Sequence, residues 1–247
     1  MTNEIKTLLQ KIKAHDIFDG DLYFVGGTAL SYYLDHRVSY DIDLASTTKL
    51  PVSKIKAFAF FIGAKQIRDA NGPQFKINTG NDIENFHMKF MLDGIKIEFS
   101  HFHSDMQKLV FENAGSSLYD SSSKLKILDL KDIVLLKIIA LFNRQKTRDL
   151  FDGAIILESN LLEIAELERI YSFSNHTISI RDYINEFNSV DDIDNTIDFL
   201  PRHANYKKFK KLDQQKRFKE AKSMFILEYD KKQKEAMKNI NRAIRKL

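Results

Sequence analysis

Asp41 and Asp43 lie two residues apart in the run Tyr40-Asp-Ile-Asp-Leu-Ala45. On a β-strand, residues i and i+2 point to the same face, so the two carboxylates are held side by side. That is costly unless a cation sits between them. Hard oxygen donors of this kind suit Mg²⁺ (or Mn²⁺), which water and phosphate oxygens complete. Just upstream, the β-rich run Leu22-Tyr-Phe-Val25 stops at Gly26-Gly27. Glycine lets the backbone turn sharply and lets a phosphate approach the amides. A helix from Thr28 to Leu34 would aim its free N–H groups at that spot. Ile42 and Leu44 face the other way, into a core. A Gly-Gly turn and an Asp-x-Asp pair are each common. The order strand, Gly-Gly, helix, strand, Asp-x-Asp is far more specific.

A second group of residues lies downstream. Ile133–Phe142 is apolar almost all round, with Lys137 in its middle. The positions three and four residues away are Ile133, Val134, Ala140 and Leu141, so no carboxylate on the same helix can pair with it. A buried ammonium without a partner is expensive. Lys137 must therefore meet an acid from elsewhere, meet a bound phosphate, or snorkel to water. Asp149 and Asp152 follow at i, i+3 spacing and share a helix face. They are either acids of a helical first turn or part of a site.

These residues resemble the nucleotidyltransferase superfamily, in which a Gly-Gly or Gly-Ser turn precedes an Asp-x-Asp pair. More narrowly, Gly26-Gly27-Thr28-Ala29-Leu30 with His36-Arg37-x-Ser39-x-Asp41-Ile42-Asp43 is similar to the AbiEii abortive-infection toxin family. So is Lys137-x-x-Ala140-x-x-x-Arg144-x-Lys146-x-Arg148-Asp149-x-x-Asp152. The resemblance covers about residues 20–155. It implies a metal-dependent nucleotidyl transfer from an NTP, with Asp41 and Asp43 as metal ligands and catalytic groups. It implies that Gly26, Gly27 and Thr28 cradle phosphates and that Lys137 contacts the triphosphate; the alternative for Lys137 is an ion pair, for instance with Asp41 or Asp43. Asp149 is read as orienting a basic residue or the acceptor hydroxyl. Arg37, Ser39, Arg144, Lys146 and Arg148 are candidates for nucleotide binding, although Arg37 could instead buttress its loop. The superfamily draws a third metal carboxylate from a later strand, and Glu98 is the candidate. The competing reading of Glu98 is a cross-strand ion pair with Lys89.

The elements that must position these groups divide into two kinds. Up to Ser123 the pattern is mixed: helices over Glu4–Ala14, Thr28–Leu34 and Pro51–Phe61, strands at Leu22–Val25 and Tyr40–Ala45, and a hairpin of Phe86–Met91 and Ile95–Phe102 about the turn Asp93-Gly94. Beyond it the periodicity is helical, with one further strand signal at His176–Ile180 and long basic helices over Lys207–Leu247. The expectation is an α+β fold: a nucleotidyltransferase-like mixed sheet with flanking helices over residues 1–123, then a helical domain over 124–247 whose first helix contributes to the site. His101 and His103 read as ordinary surface residues, because no third metal ligand lies near them.

Composition sets the outer limits. The 247 residues contain no cysteine, which excludes a disulfide scaffold and a cysteine zinc site and fits a reducing cytoplasm. No apolar run is long enough to span a membrane, and the start does not resemble a signal peptide. The net charge of +4 hides an asymmetry, because residues 202–247 carry sixteen Lys and Arg against five Asp and Glu. A basic tail on an acidic body permits an acidic partner such as RNA; a solvated lysine-rich helix is the plainer reading. With the resemblance, the expected activity is toxin-like transfer of a nucleotide to RNA, tRNA included, with an antitoxin as a further partner. The alternatives are the same chemistry on a protein or small molecule, and a worn, non-catalytic module that binds NTP or RNA.

Overall fold

The computed structural model describes residues 1–144, 146–174, 176–187, 200–201, 209 and 212–244, and it separates into two compact units, Met1–Ile133 and Val134–Leu247. The first unit is built on a seven-stranded mixed sheet. Its order is β4 (Lys65–Ile67), β5 (His87–Leu92), β6 (Ile95–His101), β3 (Asp41–Ser46), β1 (Tyr23–Val25), β8 (Lys126–Leu128), β7 (Ser116–Leu118). Alternation makes the central strands. Ile42, Leu44, Met88, Phe90, Ile97 and Phe99 are buried on one face, whereas Asp41, Asp43, Lys89, Lys96 and Glu98 are half-buried. The Asp93-Gly94 turn takes positive φ at both residues, 49° and 80°, as a two-residue hairpin of matching twist requires. β3 and β6 run parallel, as do β1 and β8, and the other neighbours are antiparallel.

Helices α1 (Asn3–Ile12), α2 (Gly26–Leu34) and α3 (Val52–Ile62) fall within two or three residues of expectation, and Pro51 is the N-cap of α3 rather than its first residue. The short elements β4, α4 (Gly72–Thr79) and α5 (Asp105–Glu112) carry too little periodicity to be expected. The serine-rich stretch from Ser116 holds β7, and β8 lies past residue 123, where no strand is expected. Paired to β1, β8 is an inner strand, so the first unit extends to Ile133.

In the second unit, α6 (Leu130–Asn143, entering from the first unit) is followed by α7 (Thr147–Glu158), α8 (Ile164–Ser172), α9 (Ile180–Asn185) and α10 (Gln214–Ile244). The strand expected at His176–Ile180 is not formed among the described residues. Ser179 instead caps α9, its hydroxyl accepting the Asp182 amide at 3.1 Å, so a side-chain cap wins over the weak β pattern. α10 packs on α7, α8 and α9. It buries Phe218, Ala221, Phe225 and Tyr229, which recur every three or four residues. Gly153 admits the Phe225 ring, which a Cβ there would meet at 3.0 Å. Residues 207, 208, 210, 211 and 245–247 of the expected basic helices lie outside the described residues. No described helix is long and apolar enough to cross a membrane.

Candidate active site

The Asp-x-Asp strand, the Gly-Gly turn and a later carboxylate strand come together on one face of the first unit's sheet. Val25, the last residue of β1, pairs with Asp43, so the chain leaves the sheet beside that carboxylate and enters α2 directly at Gly26-Gly27. The approach is close. A Cβ on Gly26 would lie 1.9 Å from Asp43 Oδ2, and the Gly26 φ of 77° is left-handed. No other residue type fits there without moving Asp43. The opening amides of α2 have no intrahelical acceptors. They and the helix dipole favour negative charge at this position.

The residues around the turn divide by burial. Thr28 is fully buried; its hydroxyl bonds the Asp41 carbonyl oxygen and lies 2.8 Å from the Ser39 hydroxyl, tying α2 to β3. Arg37, on the two-residue strand β2 (Arg37–Val38), is only 1% exposed and donates to the Val38 carbonyl at 3.2 Å. Its guanidinium fills the space that a Cβ on Gly27 would claim, at 2.4 Å. Arg37 is thus buried directly behind Gly27.

The parallel register sets Lys96 beside Asp41 and Glu98 beside Asp43. Glu98 therefore does share the face of the two aspartates. Lys89 lies directly opposite it on β5, yet the ion-pair partners of Glu98 are Lys96, Nζ to Oε1 at 3.1 Å, and His87, Nε2 to Oε2 at 3.8 Å. The same Lys96 ammonium is 3.1 Å from Asp41 Oδ2. Burial opposes ionisation of Glu98, but His87 and Lys96 outweigh it and hold the carboxyl at about 2. Burial likewise works against the Lys96 charge, and the Glu98 and Asp41 carboxylates overcome it, raising the ammonium above its ordinary range. Lys96 and His87 are members of this cluster that the sequence reading did not single out. The signal was present: Lys96-x-Glu98 alternates on the polar face of the clearest hairpin. Beside this face a cavity of ≈ 230 Å³ opens, with His87, Lys89 and Arg68 in its wall.

Within the second unit, Lys137, Arg144, Asp149 and Asp152 form a charge cluster of their own. Lys137 is 6% exposed, with its Nζ 3.0 Å from Asp152 and 3.6 Å from Asp149. Asp149 also takes both arms of Arg144, Nε at 2.7 Å and Nη2 at 3.1 Å. Asp149 and Asp152 are essentially fully buried. Burial pushes the Asp149 carboxyl up, but the Arg144 and Lys137 charges prevail and hold it below the usual carboxylate range. The buried ammonium thus meets acids from the next helix. Lys146 is the N-cap residue of α7, and Arg148 lies in its first turn, half-buried.

The sequence model of the nucleotidyl transferase AbiEii toxin of type IV toxin–antitoxin systems matches residues 7–242; the chain belongs to this family and is a nucleotidyltransferase. An uncharacterized protein of Aquifex aeolicus is 24% identical over 170 residues, covering 69% of this chain and 73% of its own. Among solved structures, a chain from H. pylori provisionally assigned as a nucleotidyltransferase is 15% identical, with a TM-score of 0.47 over 95% of this chain and 98% of that one. A tRNA-processing enzyme in an apo form is 14% identical, with a TM-score of 0.33 over 94% of this chain and 78% of that one.

Proposed function

We propose that the chain transfers a nucleotide from an NTP to an RNA acceptor, tRNA among the candidates, and acts as the toxin of a toxin–antitoxin pair in the cytoplasm. The observation that carries this reading is the Asp43 carboxylate seated against Gly26 at the start of α2, with Asp41 on the same strand face. Phosphate oxygens and a divalent cation both find their complements there. The donor set fits Mg²⁺ or Mn²⁺: half-buried carboxylates open to water, with an ammonium already standing between two of them. Asp41 and Asp43 would hold the ion, and Glu98 is the carboxylate paired with Asp43 in the sheet register. When bound, it would neutralise phosphate charge and make an acceptor hydroxyl easier to deprotonate.

The chain's own groups do the rest. The amides of Gly26, Gly27 and Thr28 bind phosphate oxygens and fix the α-phosphate for in-line attack by the acceptor hydroxyl, with pyrophosphate leaving on the opposite side. Arg37, Thr28 and Ser39 hold those amides and β3 in place from behind. α10 supplies a Lys- and Arg-rich outer surface for tracking a phosphate backbone, so acceptor binding should weaken steeply with salt.

The test is incubation with each labelled NTP, Mg²⁺ and total tRNA. Label enters RNA with the wild type. Asp43→Asn lowers the rate at least about 100-fold, since outer partners of metal ligands alone are worth 10- to 100-fold. Folded protein that labels no RNA with any NTP would overturn the proposal.

A further inference from the structure

Lys96 occupies the space between Asp41 and Glu98. Its Nζ is 3.1 Å from Asp41 Oδ2 and 3.1 Å from Glu98 Oε1, so it bridges two of the three carboxylates on this face. The sheet register, which roots Lys96 beside Asp41 and Glu98 beside Asp43, makes that bridge. One Glu98 oxygen and one Asp41 oxygen are thus engaged by Lys96, and the second Glu98 oxygen faces His87 Nε2 at 3.8 Å. A divalent ion between Asp41 and Glu98 would need to displace the ammonium or to sit against it, where like charges a few ångströms apart repel.

We propose that Lys96 is a built-in cation that replaces a second metal ion, so that the chain binds one divalent cation, at Asp41 and Asp43, and Glu98 is a partner of Lys96 rather than a ligand. This rests on the reading that Asp41 and Asp43 hold a metal. Lys96 is in this sense a positioning residue. It fixes Asp41 Oδ2 and withdraws Glu98 from coordination, and its charge stays in place whatever the metal concentration.

The test is Mn²⁺ titration of the whole chain without nucleotide, followed by the electron paramagnetic resonance of free Mn²⁺, with thermal melting as the check on folding. Wild type and Lys96→Arg should each bind one equivalent. Lys96→Met should bind two, or bind one about tenfold more tightly, because two carboxylates lose their compensating charge. Glu98→Gln in the wild-type background should leave the affinity within about twofold. A folded Lys96→Met protein with unchanged stoichiometry and affinity overturns the inference. So does a loss of about tenfold or more in Glu98→Gln, which decides the matter even where Lys96→Met fails to fold. The underlying reading fails separately: Asp43→Asn would then leave Mn²⁺ binding intact, whereas abolished binding in Asp43→Asn with a silent Lys96→Met sinks only the role given to Lys96.

Discussion

Each unit places a lysine between two carboxylates, and the two lysines live in different surroundings. Around Lys96 the side chains keep contact with water: 23% exposure for Lys96, 16% for Asp41 and 22% for Glu98. Around Lys137 they do not: 7% for the lysine and 0% for Asp149 and Asp152. In the open cluster the ions are partly hydrated, so water screens each charge and takes up part of the loss when one member is removed. In the sealed cluster the desolvation cost has already been met, and removing any member leaves buried charge behind. The same three-residue arrangement is hydrated in one unit and sealed from water in the other.

The largest expected effect tests the sealed cluster. Lys137→Met takes the ammonium from between two buried acids and should cost about 3–5 kcal/mol of stability, read as a shift of the urea midpoint at constant slope. A loss under about 1 kcal/mol, the range of an exposed pair, would erase the contrast between the two clusters.

Next in size is Gly26→Ala, which attacks the open one. Left-handed backbone costs a side chain about 1–2 kcal/mol. Gly63 has nearly the same φ, 79° against 77°, but nothing within 4 Å of a Cβ. Gly63→Ala should therefore lose similar stability with full label transfer. Gly26→Ala should in addition lose about 100-fold in rate, because the displaced Asp43 carboxylate is no longer in position. Equal activity in the two variants would show that the seat of Asp43 on α2 does not matter.

The smallest effect is in pH. The Glu98 carboxyl falls from an ordinary 4.5 to about 2 in the folded chain. Its stabilisation is therefore complete above about pH 4.5 and is lost as pH falls towards 2. Partial exposure keeps it near about 1 kcal/mol. The stability difference between wild type and Glu98→Gln should be constant above about pH 4.5 and shrink as pH falls towards 2, with the variant's profile the flatter.

Much of the site was legible because its signals are local. Asp41 and Asp43 share a face through the strand's period of two, and Gly26-Gly27 announces the turn that meets them. The hairpin about Asp93-Gly94 was legible for the same reason. Lys137 was legible as a problem, a charge on an apolar helix, but its solution lay on α7. Lys96 was not legible as a site residue. Alternation put it on the polar face of a hairpin with Lys89, His87 and Glu98, where solvent is the ordinary neighbour, and the pair that looked natural was Lys89 with Glu98.

The sequence by itself determined the strand, turn and helix that carry Asp43 and Gly26, since glycine geometry and side-chain alternation act over a few residues. It also determined that Lys137 needed an acid, a phosphate or a path to water, since burial of its helix follows from composition. Only the tertiary structure decided which cation sits among which acids. The parallel pairing of β3 with β6 brought Lys96 to Asp41, and the packing of α7 brought Asp152 to Lys137. Charges separated along the chain choose partners by distance and dielectric in the folded state, and neither is written in local spacing.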